Sequence, residues 1–241
     1  MQKDIVEHLL NSISDKDWNV RGGAIWALGK IREMIPQNME EKVIEKIFAA
    51  YRDEDGHVRG HAAASTGKLR EIIPKGMVKD ITAGLIELTH DSEWDTRSPA
   101  ALTLSKLTDV IPKDMNQPVS ESLLKLTDDY EWVVRRSAAW SQGQLREIIP
   151  DELKKNLIDS LLKLSSDENW SVRDSAVRSL GGFGIIIPKE RNMELVSVVM
   201  GLCSDSNRTV SDSAKHALNK LKTIIPGEMK DASENYLKDI G

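Results

Sequence analysis

Six prolines fall at a constant interval along this chain: Pro36, Pro74, Pro112, Pro150, Pro188 and Pro226 follow one another every 38 residues. Six aspartates keep the same step: Asp15, Asp53, Asp91, Asp129, Asp167 and Asp205. A fixed period of this length marks a stack of identical supersecondary units, each hiding its apolar side only against its neighbours. Few other features constrain a fold so tightly. The expected division is 1–38, 39–76, 77–114, 115–152, 153–190 and 191–228, with a C-terminal helix over 229–241, all in one repeat domain.

Within a period the apolar spacing is helical. Ile5, Leu9, Leu10 and Ile13 share one face of a first helix, A, over 2–13. Ser14, Asp15 and Asp17 make a polar turn able to cap a second helix, B, over 18–34, whose stripe is Val20, Ala24, Ala27, Leu28 and Ile31. Pro36 stops helix B and drives Ile35 towards an extended conformation. The same reading places A helices at 39–51, 77–89, 115–127, 153–165, 191–203 and 229–240. It places B helices at 56–72, 94–110, 132–148, 170–186 and 208–224. Thirteen helices result.

Comparing the units with one another separates scaffold from decoration. Ala24, Ala62, Ala100, Ala138, Ala176 and Ala214 never vary, as expected where helix B must approach helix A closely. Arg21, Arg59, Arg97, Arg135 and Arg173 each follow their aspartate by six residues, and only Ser211 breaks the series. An arginine at the start of helix B and an aspartate in a turn could join successive units by charge-assisted hydrogen bonds. A turn aspartate, then Val-Arg, then alanine and Ala-Leu-Gly, as in DKDWNVRGGAIWALGKI and DENWSVRDSAVRSLGG, resembles the HEAT repeat over the whole chain. It is similar to the group that includes phycobilin-lyase-type repeats, although the recurring Ile-Pro ending and the 38-residue length differ from the shorter lyase-type unit. The resemblance implies an all-α, right-handed α-α superhelix whose B helices line the concave surface.

Composition excludes some functions. The net charge of −5 speaks against a dedicated nucleic-acid binder. Cys203 is the only cysteine, so no internal disulfide can form, and a reducing, cytoplasmic setting is expected. No apolar run approaches a membrane span, and the N-terminus lacks the apolar core of a signal peptide. The sequons at Asn169 and Asn207 are accordingly read as chance.

Candidate chemistry is sparse. Trp18, Trp94, Trp132 and Trp170 hold one repeat position and suggest packing at the helix B entrance. Trp26, Leu102, Arg136, Trp140 and Arg178 lie on a stripe that changes from unit to unit. Variation of that kind belongs to a partner-specific face, and tryptophan and arginine are favoured interface anchors. His57 and His61, with Asp95 from the next unit, are the one candidate metal set, but there is no HExxH and no cysteine partner, so no metal is expected. Gly29-Lys30 and Gly67-Lys68 resemble P-loop endings without the required upstream glycine or following Ser/Thr. Arg32, Arg70, Arg146 and Lys222 suit helix C-termini, and Glu33, Glu71, Asp109 and Glu147 beside them would oppose a phosphate backbone. Gly181, Gly182 and Gly184 interrupt the fifth helix B and predict either a kink or a close contact. Cys203 reads as a buried small hydrophobe. No Ser/His/Asp or Cys/His constellation stands out. The expectation is a non-enzymatic scaffold that binds a protein or peptide on its concave B-helix face, without a cofactor. The alternatives are a phycobilin-lyase-like protein and a nucleic-acid-binding one of the kind seen in HEAT-like DNA-repair glycosylases.

Overall fold

The computed structural model describes residues 1–184 and 188–238. Among these there are thirteen α-helices and no strands. The A-type helices are α1 (Gln2–Ser12), α3 (Glu40–Ala49), α5 (Val78–Leu88), α7 (Asn116–Lys125), α9 (Asp151–Leu164), α11 (Asn192–Leu202) and α13 (Lys230–Leu237). The B-type helices are α2 (Trp18–Lys30), α4 (Gly56–Lys68), α6 (Trp94–Lys106), α8 (Trp132–Gln144), α10 (Trp170–Phe183) and α12 (Arg208–Lys220). No helix among the described residues is long and apolar enough to cross a membrane.

Two compact units divide the chain, Met1–Ser122 and Leu123–Gly241. In the first, α1 pairs with α2, α3 with α4 and α5 with α6, while α2 stacks on α4 and α4 on α6. In the second, α9 pairs with α10 and α11 with α12, while α8 stacks on α10 and α10 on α12. The B helices therefore carry the stacking. The six invariant alanines are all buried, four of them together with a fully buried leucine four residues on: Leu28, Leu104, Leu180 and Leu218.

The B α-helices end earlier than the periodicity predicts. Ile31 (φ −96°, ψ 24°) and Leu69 (φ −97°, ψ 12°) leave the α region, and tight 3-10 turns over Arg32–Met34 and Arg70–Ile72 finish the unit. The proline ahead accounts for this. Ile35 and Ile73 are extended (ψ 118° and 121°), so the last turn closes by i→i+3 bonds instead. In the fifth helix B the predicted residues 185–187 lie outside the described residues. Val20 also departs from its predicted burial. Val58, Val134, Val172 and Val210 are fully buried at the same repeat position, whereas Val20, in the first described B helix, is 41% exposed.

The repeated aspartate is not a helix cap. Asp17, Asp55, Asn169 and Asn207 cap their helices by accepting from the backbone N–H two residues on. Asp15, Asp53, Asp91, Asp129, Asp167 and Asp205 sit two residues earlier and accept the N–H of the capping residue itself, at 2.8–3.0 Å. Carboxylates of this series then receive the arginine of the preceding hairpin. Arg21 holds Asp53 in a bidentate pair at 2.8 and 2.8 Å, and Arg59 holds Asp91 at 2.6 and 2.7 Å. In the second unit Arg135 holds Asp167 at 2.6 and 3.0 Å, and Arg173 holds Asp205 at 2.8 and 2.9 Å. Each of these arginines also donates through Nη1 to two carbonyls of its own turn, Asp15 and Lys16 in the case of Arg21. Arg97 makes the same turn contacts, to Asp91 and Ser92. Ser211, in the arginine position of the last hairpin, donates to the Cys203 carbonyl at 2.6 Å.

A second ladder runs between the B helices. Ser65 donates to the Ile25 carbonyl (3.0 Å), Thr103 to Ala63 (2.9 Å) and Ser179 to Ala139 (2.8 Å). Glycines face these hydroxyls: a Cβ on Gly29 would fall 2.7 Å from Ser65 Oγ, and one on Gly143 would fall 2.3 Å from Ser179 Oγ. Gly181 meets Ala217 in the same way, with a Cβ placed 2.8 Å from its Cα, and α10 runs on through Gly181 and Gly182. Of the two outcomes the glycines predicted, the structure shows the close contact. Pro99, inside α6, cannot donate to the Asp95 carbonyl. Gly60 approaches that same carbonyl, where a Cβ would sit 2.4 Å away.

Candidate partner-binding face of the B helices

Residues four apart on a helix share a face, so repeat positions 18, 22, 26 and 30 of the first B helix form one stripe, and their equivalents form it on the others. This stripe contains every tryptophan of the chain. Trp18, Trp94, Trp132 and Trp170 open their helices at 39–45% exposure, and Trp26 and Trp140 follow two turns later at 48% and 40%. The first four therefore do not close the helix B entrance as predicted. At the first helical position each indole is only partly covered. Trp18 stacks on His57 of the next hairpin (centroids 5.2 Å apart, 26° between planes), and the Arg136 guanidinium lies 5.7 Å from the Trp132 ring.

In the first unit, Trp26 is exposed and Leu102 is half-buried at the same repeat position of α6. Lys30 and Lys68 place their ammonium groups 5.3 and 5.7 Å from the Trp26 ring, within cation–π range. In the second unit, Arg136 is half-buried beside Trp132, and exposed Arg178 lies against Asp174 on its own helix at 2.9 Å. Asp174 also accepts from Ser213 at 2.6 Å, so this part of the face is neutralised internally.

Of the candidate metal set, the structure brings together His57 and Asp95 as a close pair. His61 points its Nδ1 towards Gly22 instead, and this atom and Asp95 Oδ1 are buried without a hydrogen-bond partner. Among the described residues no group of three His, Cys, Asp or Glu side chains is placed to hold a metal ion. The basic residues after the first two B helices are paired across hairpins: Arg32 with Glu71 at 2.7 Å and Arg70 with Asp109 at 3.7 Å. Sequence reasoning gives the lysines two residues earlier no role beyond an incomplete P-loop match. Their signal is legible, since Lys30, Lys68 and Lys106 are 38 apart and four residues beyond the Trp26 position.

Hairpins joined by a repeating salt-bridge ladder, with a variable B-helix face, define a tandem helical-repeat fold. Residues 6–77 match the family model for HEAT repeats and residues 157–187 match that for the HEAT repeat. The chain belongs to the HEAT-repeat superfamily. Solved structures of similar fold include a designed armadillo repeat protein in complex with the peptide (KR)4, at 19% identity and TM-score 0.65, covering 90% of this chain and 99% of that one. YibA of Escherichia coli matches at 21% identity and TM-score 0.69, over 98% of this chain and 82% of its own. A Kap121p mutant matches at 16% identity and TM-score 0.77, over 96% of this chain and 24% of its own. No match was found among curated proteins.

Proposed function

We propose that this chain is a non-enzymatic scaffold that binds a protein or peptide on the open face of its B helices. The carrying observation is the placement of all six tryptophans on that face, each 39–48% exposed. Exposing this residue type so consistently is costly unless a partner covers it, and tryptophan is the commonest interface anchor. The face corresponds to the concave surface implied by the resemblance to HEAT proteins. Peptide binding by a designed armadillo protein of similar fold supports the same reading. Trp26 and Leu102 serve the first unit, and Arg136, Trp140 and Arg178 the second. Pairing of Arg32 with Glu71 and Arg70 with Asp109 argues against a phosphate-binding groove. A single, buried cysteine fits a reducing cytoplasmic compartment.

The test is partner capture followed by mass spectrometry with the wild-type chain, Trp26→Ala and Trp140→Ala plus Arg178→Ala. Partners retained by the wild type and lost from either variant, at unchanged melting temperature, support the reading. Undiminished capture by both variants overturns it.

A further inference from the structure

The last residues of α2, α4 and α6 are Lys30, Lys68 and Lys106, on three helices stacked side by side. A lysine at a helix C-terminus complements the helix dipole, which accounts for one cation on each helix. It does not account for the surroundings. None of the three has a carboxylate within ion-pair distance among the described residues, whereas the neighbouring row pairs Arg32 with Glu71 and Arg70 with Asp109. Lys68 is half-buried, and burial, then Lys30 and Lys106, hold its ammonium below the usual lysine range. The Lys106 stem is fixed against Gly67, where a Cβ would come within 3.1 Å of its Cδ. Two of the ammonium groups stand over Trp26, and Lys30 and Lys68 line a hollow of about 450 Å³ with Ile31, Arg32, Glu33 and Met34. The one carboxylate of that hollow, Glu33, faces Arg32 at 3.8 Å and leaves the lysines unpaired. Uncompensated positive charge therefore adjoins exposed apolar surface.

We infer that Lys30, Lys68 and Lys106 receive the carboxylates of an acidic segment of a protein partner, with an apolar side chain of that segment lying on Trp26 and Leu102. The inference rests on the scaffold reading and names its partner's chemistry. A nucleic-acid backbone fits less well. Glu33, Glu71 and Asp109 follow within three residues of each lysine, and the lysine series is interrupted at Gln144 and Gly182 before it returns at Lys220.

The probe is a fluorescein-labelled peptide of glutamate and leucine, read by fluorescence polarisation against the full chain. Glutamine–leucine and lysine–leucine peptides and a labelled oligothymidylate serve as comparisons. The glutamate peptide should bind best and weaken with salt. The triple variant Lys30→Gln, Lys68→Gln, Lys106→Gln should bind it about tenfold more weakly or worse, as expected for the summed loss of three modest charge contacts. Lys30→Glu, a change at an exposed position, should weaken it while leaving the melting temperature unchanged. Equal binding of the glutamine peptide, tighter binding of oligothymidylate, or an unaffected triple variant would overturn the inference. Partner capture that still depends on Trp140 alongside such a result would leave the scaffold reading standing.

Discussion

Both oxygens of Asp91 are held by the guanidinium of Arg59, 32 residues earlier and one hairpin back, at 2.6 and 2.7 Å. The same arginine donates to the Asp53 and Glu54 carbonyls of its own turn. One side chain thus fixes a turn, the next turn and the spacing between them. Arg59→Ala should lower stability by about 3 kcal/mol, the usual result of stranding one partner of a mostly buried pair. A double-mutant cycle with Asp91→Ala, read by denaturant unfolding, should show strong positive coupling. Additive losses would mean that the two residues act separately.

Acid should weaken this ladder. Burial pushes the Asp91 and Asp53 carboxyls up, but their arginines and turn N–H groups outweigh it, and both lie below the ordinary value of 3.8. The bond from Arg173 is the leading cause of the same shift in Asp205. A carboxyl with a depressed folded value stabilises the fold where it is ionised. That contribution is complete above the ordinary value and is lost as the pH falls through the lower folded one. Melting temperature should therefore fall steeply in this acid range, and Asp91→Asn should show a lower plateau with a shallower fall.

Two glycine substitutions should have opposite signs. Gly143→Ala would place a Cβ 2.7 Å from Ser179 Cβ and 3.0 Å from its Cα. The gain in helix propensity, about 1 kcal/mol, should be exceeded by overpacking of about 1–3 kcal/mol. Gly201 lies in α11, and a Cβ added there would meet nothing within 4 Å, so Gly201→Ala should stabilise by about 0.5–1 kcal/mol. Thermal melts of the two variants, moving in opposite directions, check this.

Cys203 is 5% exposed, burial pushes its thiol up to about 11, and its Sγ lies 3.4 Å from the Val199 carbonyl. It should remain unalkylated by iodoacetamide at neutral pH until the chain unfolds. Mass spectrometry before and after addition of denaturant distinguishes this from a reactive thiol.

The architecture is legible because repetition compares a sequence with itself. Ala24 and its equivalents, and the arginine and aspartate series, can be recognised as scaffold without any structure. The interior of the B helices is legible only in part. Ser65, Thr103 and Ser179 look like ordinary polar residues until the neighbouring carbonyls, about 40 residues back, come within reach. For Trp18 and its equivalents recurrence does not mean burial. A residue that recurs at every unit can equally mark a face that recurs, and the first turn of a helix leaves an indole only half covered. Lys68 is hidden by a failed phosphate-loop motif, although its spacing from Trp26, Lys30 and Lys106 carries the signal.

The ladder has a direction: Arg21, Arg59, Arg135 and Arg173 all reach forward, towards the C-terminus, to a carboxylate in the same setting. Excising residues 53–90 would bring Asp91 to the place that Asp53 holds opposite Arg21, with its turn intact. Loss or duplication of a whole period therefore heals its own seam, whereas a gain or loss of any other length sets a guanidinium against the wrong partner. A chain built this way can change its reach in whole steps while every surviving joint remains unaltered.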